Sequence, residues 1–320
     1  MRRSLAVLCG VVGALGVAAF VVRDTLVLDL LFSLLLFAVL GQSWNWISGY
    51  AGQISFSHAI FYGCGAYAAA LATDAWHISP WLAFPIGALA AAALALAIGF
   101  PTLALRGHYF SIATIAIGAL VDVFVRNSHW LGGANGFELP IATGFASLQF
   151  VDKTPYVLIA LALFALTQWL TIALEHSKLG YYLRALRANH AAAASVGIVE
   201  RRWKLIAFCG SAALASAAGV LYAQYTLYVD PGTIALSTSI DIALIGVVGG
   251  LGTIWGPPVG ALIYVVLSKF VALELGGSGK GYDLVIYGLL IVVIATLQPR
   301  GIAGSIVDAL RRRRARESAA

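Results

Sequence analysis

The chain has 320 residues, of which 61% are hydrophobic and only 11% charged, with mean hydropathy +0.90 and formal net charge +6. An ordinary soluble domain carries about a quarter charged residues, and so much apolar surface cannot all be buried in one water-soluble core of this size. Lipid is left as the solvent, where only helices and closed barrels span; the apolar runs here are continuous rather than alternating, so they predict helices.

Ten apolar segments follow in chain order. The first, Ser4–Val22, comes after Met1-Arg2-Arg3 and reads as a retained span rather than a lone signal peptide, because many further spans follow. Leu30–Trp46 ends in the polar pair Gln42 and Asn45. Ile54–Leu71 is entered through Gly49-Tyr50-Ala51-Gly52-Gln53 and carries Ser55, Ser57 and His58 before Gly63-Cys64-Gly65-Ala66-Tyr67. Trp81–Leu103 and Tyr109–Val125, the latter with Thr114, precede a long loop, Arg126–Pro155, containing the turn-rich run Gly132–Gly136. Tyr156–Leu174 leads to a basic loop at 175–204, and Leu205–Tyr225 follows it. Ile240–Ile254 and Val259–Val271 fall short of the about 20 residues of a straight span, and glycines and Pro257-Pro258 interrupt them. Leu284–Leu297 and an Arg-rich tail at 300–320 end the chain.

If the N-terminus is cytoplasmic and every segment crosses, the inside loops hold 15 basic residues and the outside loops 5, the bias that the positive-inside rule expects. An even number of crossings puts both termini in the cytoplasm. The net charge is then a topology signal, and the tail Arg311–Arg316 favours lipid headgroups over nucleic acid. The expectation is one transmembrane domain over residues 1–320, with ten transmembrane or re-entrant helices.

The glycine-broken third and eighth segments each stand third in a set of five and cross in opposite directions, as a 5+5 inverted repeat would produce. Broken helices at matching places of inverted halves point to a transport path. Candidate path residues are Gln53, Ser55, His58, Thr114, Gly249 and Gly252. Single glycines also serve close helix packing, and a Ser or Thr in a span also serves as a bond between helices.

No catalytic chemistry stands out, and the chain is not expected to be an enzyme. Cys9, Cys64 and Cys209 lie far apart, and His58, His108 and His129 have no metal-ligand spacing, so neither metal nor cofactor is expected. Gly277-Ser278-Gly279-Lys280-Gly281 fails the phosphate-loop pattern, which needs glycine where Glu274 stands and Ser or Thr where Gly281 stands. Any ATPase must be another subunit. The spans lack a deep carboxylate pair, which argues against a proton-relay transporter. A secondary transporter or channel is the rival reading.

The basic loop carries a resemblance. Ser177-Lys178-Leu179-Gly180-Tyr181-Tyr182-Leu183-Arg184-Ala185-Leu186-Arg187, continuing through Ala191-Ala192-Ala193-Ala194-Ser195-Val196-Gly197 to Lys204, resembles the ATPase-docking loop of branched-chain amino acid ABC permeases, specifically the M-type, LivM-like subunit. The likeness extends to Gly49–Tyr67, Arg106–Phe110, Gly132–Gly136 and Gly249–Ala261 in order. It implies an importer in a bacterial inner membrane. The partners it implies are a second, H-type permease subunit, two cytoplasmic ABC ATPases and a periplasmic solute-binding protein. Branched-chain amino acids are the implied cargo, with urea, amides or small aromatic acids in relatives. By the same resemblance Arg184, Arg187, Ala191, Ala192, Gly197 and Lys204 form the ATPase-coupling loop. Ala188 and Ala194 stand where the family often has acidic residues.

Overall fold

The computed structural model describes residues 1–74, 77–105 and 107–274. Helix α1 (Arg2–Val21) is followed by α2 (Thr25–Asn45), which opens where Asp24 Oδ1 accepts the Leu26 amide at 2.9 Å. Rather than stopping at Asn45, α2 runs on into a π-helical turn, Trp46–Tyr50. The chain is then non-helical through residue 57 and resumes as α3 (His58–Asp74). The helix expected from Ile54 therefore begins four residues later.

Next come α4 (Ala83–Thr102) and α5 (His108–Asn127), then a loop with the short strand β1 (Phe137–Glu138). Helix α6 (Thr154–Glu175) leads into two short helices, α7 (Lys178–Ala188) and α8 (His190–Ser195). Each is capped by its preceding residue: Ser177 Oγ accepts the Gly180 amide, and Asn189 Oδ1 the Ala192 amide. The long α9 (Glu200–Thr226) follows, then β2 (Tyr228–Val229), which pairs antiparallel with β1, and finally α10 (Leu236–Gly249) and α11 (Gly256–Glu274).

Six helices among the described residues are long and apolar enough to cross a membrane: α1, α2 with its π turn, α4 with its leading turn, α5, α6 and α9. The protein is thus an all-helical, multi-pass membrane protein. Helix α10 does not cross alone, since its 14 residues rise about 21 Å against a hydrocarbon core of about 30 Å. The expected tenth segment at 284–297 and the tail at 300–320 lie outside the described residues.

Helix α9 is the hub, with 61% of its apolar window buried against 11% for α1 and 22% for α5. It packs tightly on α3 through small residues. A Cβ at Gly65 would strike the Ser216 carbonyl, and one at Gly219 would strike the Tyr62 carbonyl. Among apolar surroundings such close approach, rather than a hydrophobic drive, favours helix association.

Candidate functional site

The two glycine-rich breaks meet. In the first, residues 51–57 are non-helical, and burial alternates along them: Gln53, Ser55 and Ser57 are buried, while Gly52 and Ile54 are exposed. This inverts what an apolar interior asks of a strand. The reason is that unwound backbone has no helical partners, and an unbonded buried amide costs about 1–3 kcal/mol. Neighbours supply the partners. Ser48 Oγ donates to the Gln53 carbonyl at 3.0 Å and accepts from the Ser55 amide at 3.3 Å. Trp44 Nε1 donates to the Ser55 carbonyl at 2.7 Å. From α5, Ser111 Oγ donates to the Ile54 carbonyl at 2.8 Å, and Thr114 Oγ1 accepts the Phe56 amide at 3.1 Å.

The second break is the turn 250–255 between α10 and α11. Asn45, the last residue of α2, reads its backbone on both sides. Its Oδ1 accepts the Gly252 amide at 2.7 Å, and its Nδ2 donates to the Thr253 carbonyl at 2.9 Å. Gly52 and Gly252 both adopt left-handed backbone, φ +74° and +73°, which costs glycine nothing. Gly49 and Gly252 lie so close that a Cβ on Gly49 would stand 2.5 Å from the Gly252 nitrogen. Gln168 of α6 also donates to the Ile254 carbonyl, at 3.3 Å.

His58, the first residue of α3, is fully buried, and its Nε2 lies 2.6 Å from Ser211 Oγ. Ser211 in turn reaches the Ser43 carbonyl at 2.7 Å. A carbonyl can only accept, so the Ser211 hydroxyl donates to it and accepts from His58 Nε2–H. Ser211 is 11 residues into α9, about 16 Å along a helix of about 40 Å. Helix α3 therefore starts near mid-depth. So does α10, whose Ser239 Oγ accepts the Ala59 amide at 3.0 Å. Next to these two starts in the chain, Ile54, Leu236, Ser237 and Ile240 are exposed, as is much of α5.

The structure brings most of the expected path residues together in its interior. Gln53, Ser55, His58 and Thr114 are each no more than 2% exposed; Thr114 and Ser55 bond the unwound backbone at the Phe56 and Ser57 amides, and His58 bonds Ser211. Gly249 ends α10, and Gly252 sits at the second break.

The loop residues divide as well. Ala191, Ala192 and Gly197 are exposed, and Gly197 takes φ +82° two residues beyond α8. Arg184 holds α7 to the end of α6, donating to the Glu175 carbonyl at 2.8 Å. Lys204 alters the expectation of a contact surface, because it is completely buried and ion-paired with Glu200 at 2.6 Å; a lone buried charge would be costly, and the pair offsets that. Glu200 also stands 3.1 Å from His190 Nδ1, tying α8 to α9. Arg187 reaches inward and donates from Nη1 to the Gly49 carbonyl. Asn45, Ser48, Trp44 and Ser111 are the site residues that sequence reasoning missed as such. A hydrogen-bonding side chain at the edge of a glycine break was the available signal.

Residues 26–295 match the model of a family described as branched-chain amino acid transport system / permease component. The chain belongs to this family. Among its relatives, the high-affinity branched-chain amino acid transport system permease protein LivM of Escherichia coli is 30% identical over 293 residues, covering 84% of this chain and 68% of that protein. LivM of Salmonella typhimurium is 29% identical, with 86% and 69% covered. The high-affinity branched-chain amino acid transport system permease protein LivH of Escherichia coli is 27% identical over 84% of this chain and 91% of its own length. No solved structure matches the chain. The branched-chain permease component described here is a transport subunit, not a catalytic one, and the six crossing helices fit that membership.

Proposed function

We propose that this permease component is the membrane-spanning subunit of an ATP-binding-cassette importer for branched-chain or related amino acids, receiving solute from a periplasmic binding protein. The observation that carries the reading is the family match over nearly the whole chain. Likeness to both LivM and LivH supports pairing with a second, H-type permease subunit. Two ATPases would dock on the exposed tip of the loop, where Ala191, Ala192, Val196 and Val199 stand out from the body. Both termini would be cytoplasmic, and the whole chain would form one domain of ten transmembrane or re-entrant helices in a 5+5 inverted repeat.

The path runs along the face of Ile54, α5 and the first turn of α10. Non-helical backbone at membrane depth is tolerated only against protein or water, which favours this face over a lipid-facing role. Gln53, Ser55, His58, Thr114, Gly249 and Gly252 would shape the path from behind.

The test is co-expression with the neighbouring genes, purification in detergent, and ATP hydrolysis with a panel of loaded binding proteins. The expected result is recovery of ATPase subunits and hydrolysis stimulated by a binding protein loaded with a branched-chain amino acid. Stimulation only by a urea- or aromatic-acid-loaded protein would reassign the cargo. A chain that purifies without any ATPase would overturn the reading.

A further inference from the structure

The loop between α6 and α9 carries two arginines that bond back to the body, Arg184 half-buried and Arg187 exposed over much of its surface, and they do different work. Arg184 bonds only to its own neighbourhood, the Glu175 and Gly180 carbonyls and the Glu175 carboxylate. Arg187 leaves the loop. Its stem crosses Gly52, where an added Cβ would stand 3.0 Å from Arg187 Cγ. Its Nη1 donates to the Gly49 carbonyl and lies against Gly252, at the place a side chain there would occupy.

Three glycines from the two breaks thus form a slot for one guanidinium. The Gly49 carbonyl is in the last turn of the α2 helix run, and Gly252 lies three residues past the end of α10. Both helices therefore point their C-terminal, partially negative ends toward the slot, which favours a cation there. The guanidinium's fixed fork suits bonding several backbone groups from one position.

Resting on the importer reading above, we propose that Arg187 is a positioning residue that clasps both helix breaks from the coupling loop, so that a displacement of the loop moves the two breaks together. A surface arginine serving only an ATPase contact would point away from the body. One serving only to hold the loop would bond as Arg184 does. Through one hydrogen bond to Gly49 and contacts with Gly52 and Gly252, Arg187 touches the end of the α2 run, the start of the unwound segment and the turn 250–255 at once.

The test uses the full complex in proteoliposomes, comparing wild type, Arg187→Ala, Arg187→Lys and Arg184→Ala. Three quantities are read: co-purified ATPase subunits, basal hydrolysis, and solute moved per ATP. The expected result is that solute per ATP, read against the variant's own hydrolysis rate, falls at least tenfold in Arg187→Ala. Arg187→Lys is expected to recover part of the loss, and Arg184→Ala to keep the wild-type ratio. An unchanged ratio in Arg187→Ala would overturn the proposal, as would an equal loss in Arg184→Ala. If Arg187→Ala does not assemble, Arg187→Lys decides: a lowered ratio in an assembled complex supports the clasp, and a wild-type ratio reduces Arg187 to a structural tether and overturns it. A wild-type chain that recovers no ATPase removes the importer reading itself, an outcome separate from all of these.

Discussion

Asn45 holds the end of α2 to the second break through both sides of its amide. Its amide matches the donor and acceptor pattern of a peptide group, so it bonds the Gly252 amide and the Thr253 carbonyl together. Asn45→Ala leaves both half-buried groups without this partner, a loss of at most about 6 kcal/mol at about 1–3 kcal/mol per orphaned group. Thermal unfolding in detergent should show it as a lowered Tm. Asn45→Asp keeps the acceptor for Gly252 but sets a negative oxygen against the Thr253 carbonyl, and should be no more stable than the alanine variant. A wild-type Tm for both would mean that Asn45 is not the bracket between the breaks. At this scale the sequence was legible in kind. Gln53 and His58 stood out as costly to hide, and both are buried beside backbone that has surrendered its helical hydrogen bonds. Which way an alternating polar residue faces depends on where those bonds are missing, and that is decided by neighbours distant in sequence, such as Ser111 and Thr114.

Between elements, glycine does two jobs that look alike in sequence. Gly52 and Gly252 permit left-handed backbone at the breaks, whereas Gly65 and Gly219 let α3 and α9 touch. Gly219→Ala pushes a methyl group into the Tyr62 carbonyl, in a contact that cannot open without moving the hub helix. The expected cost is about 1–3 kcal/mol from overpacking, read as a lowered Tm of the purified chain. Gly10→Ala is the control, because nothing stands within 4 Å of the added Cβ; it should be neutral or slightly stabilising, since alanine is the better helix former. Equal behaviour of the two variants would refute the packing role of Gly219. The elements themselves were well marked by apolar length: α1, α4, α5, α6 and α9 lie within a few residues of the segments read from the sequence. The exceptions are at the breaks, where α2 runs on to Tyr50 as a π turn and α3 starts late at His58. A run of glycine and small residues does not say where a helix unwinds, because unwinding is fixed by the partners waiting for the freed amides.

For the whole molecule, the separation of the two breaks in sequence, some 200 residues, closes to direct contact between Gly49 and Gly252, and the loop reaches both through Arg187. The meeting of the breaks was not legible from spacing, although their matching positions suggested a common role. Coupling by rigid bodies needs such continuity between the element that is pushed and the element that opens. On the importer reading this chain moves solute only as part of an ATP-driven assembly fed by a binding protein. The direct measurement is uptake of labelled branched-chain amino acid into proteoliposomes holding the two permease subunits and the ATPases, with and without ATP inside and loaded binding protein outside. The account predicts uptake only when both are present. Uptake of the same solute by this chain alone, without ATP or binding protein, would contradict it and return the secondary-transporter reading.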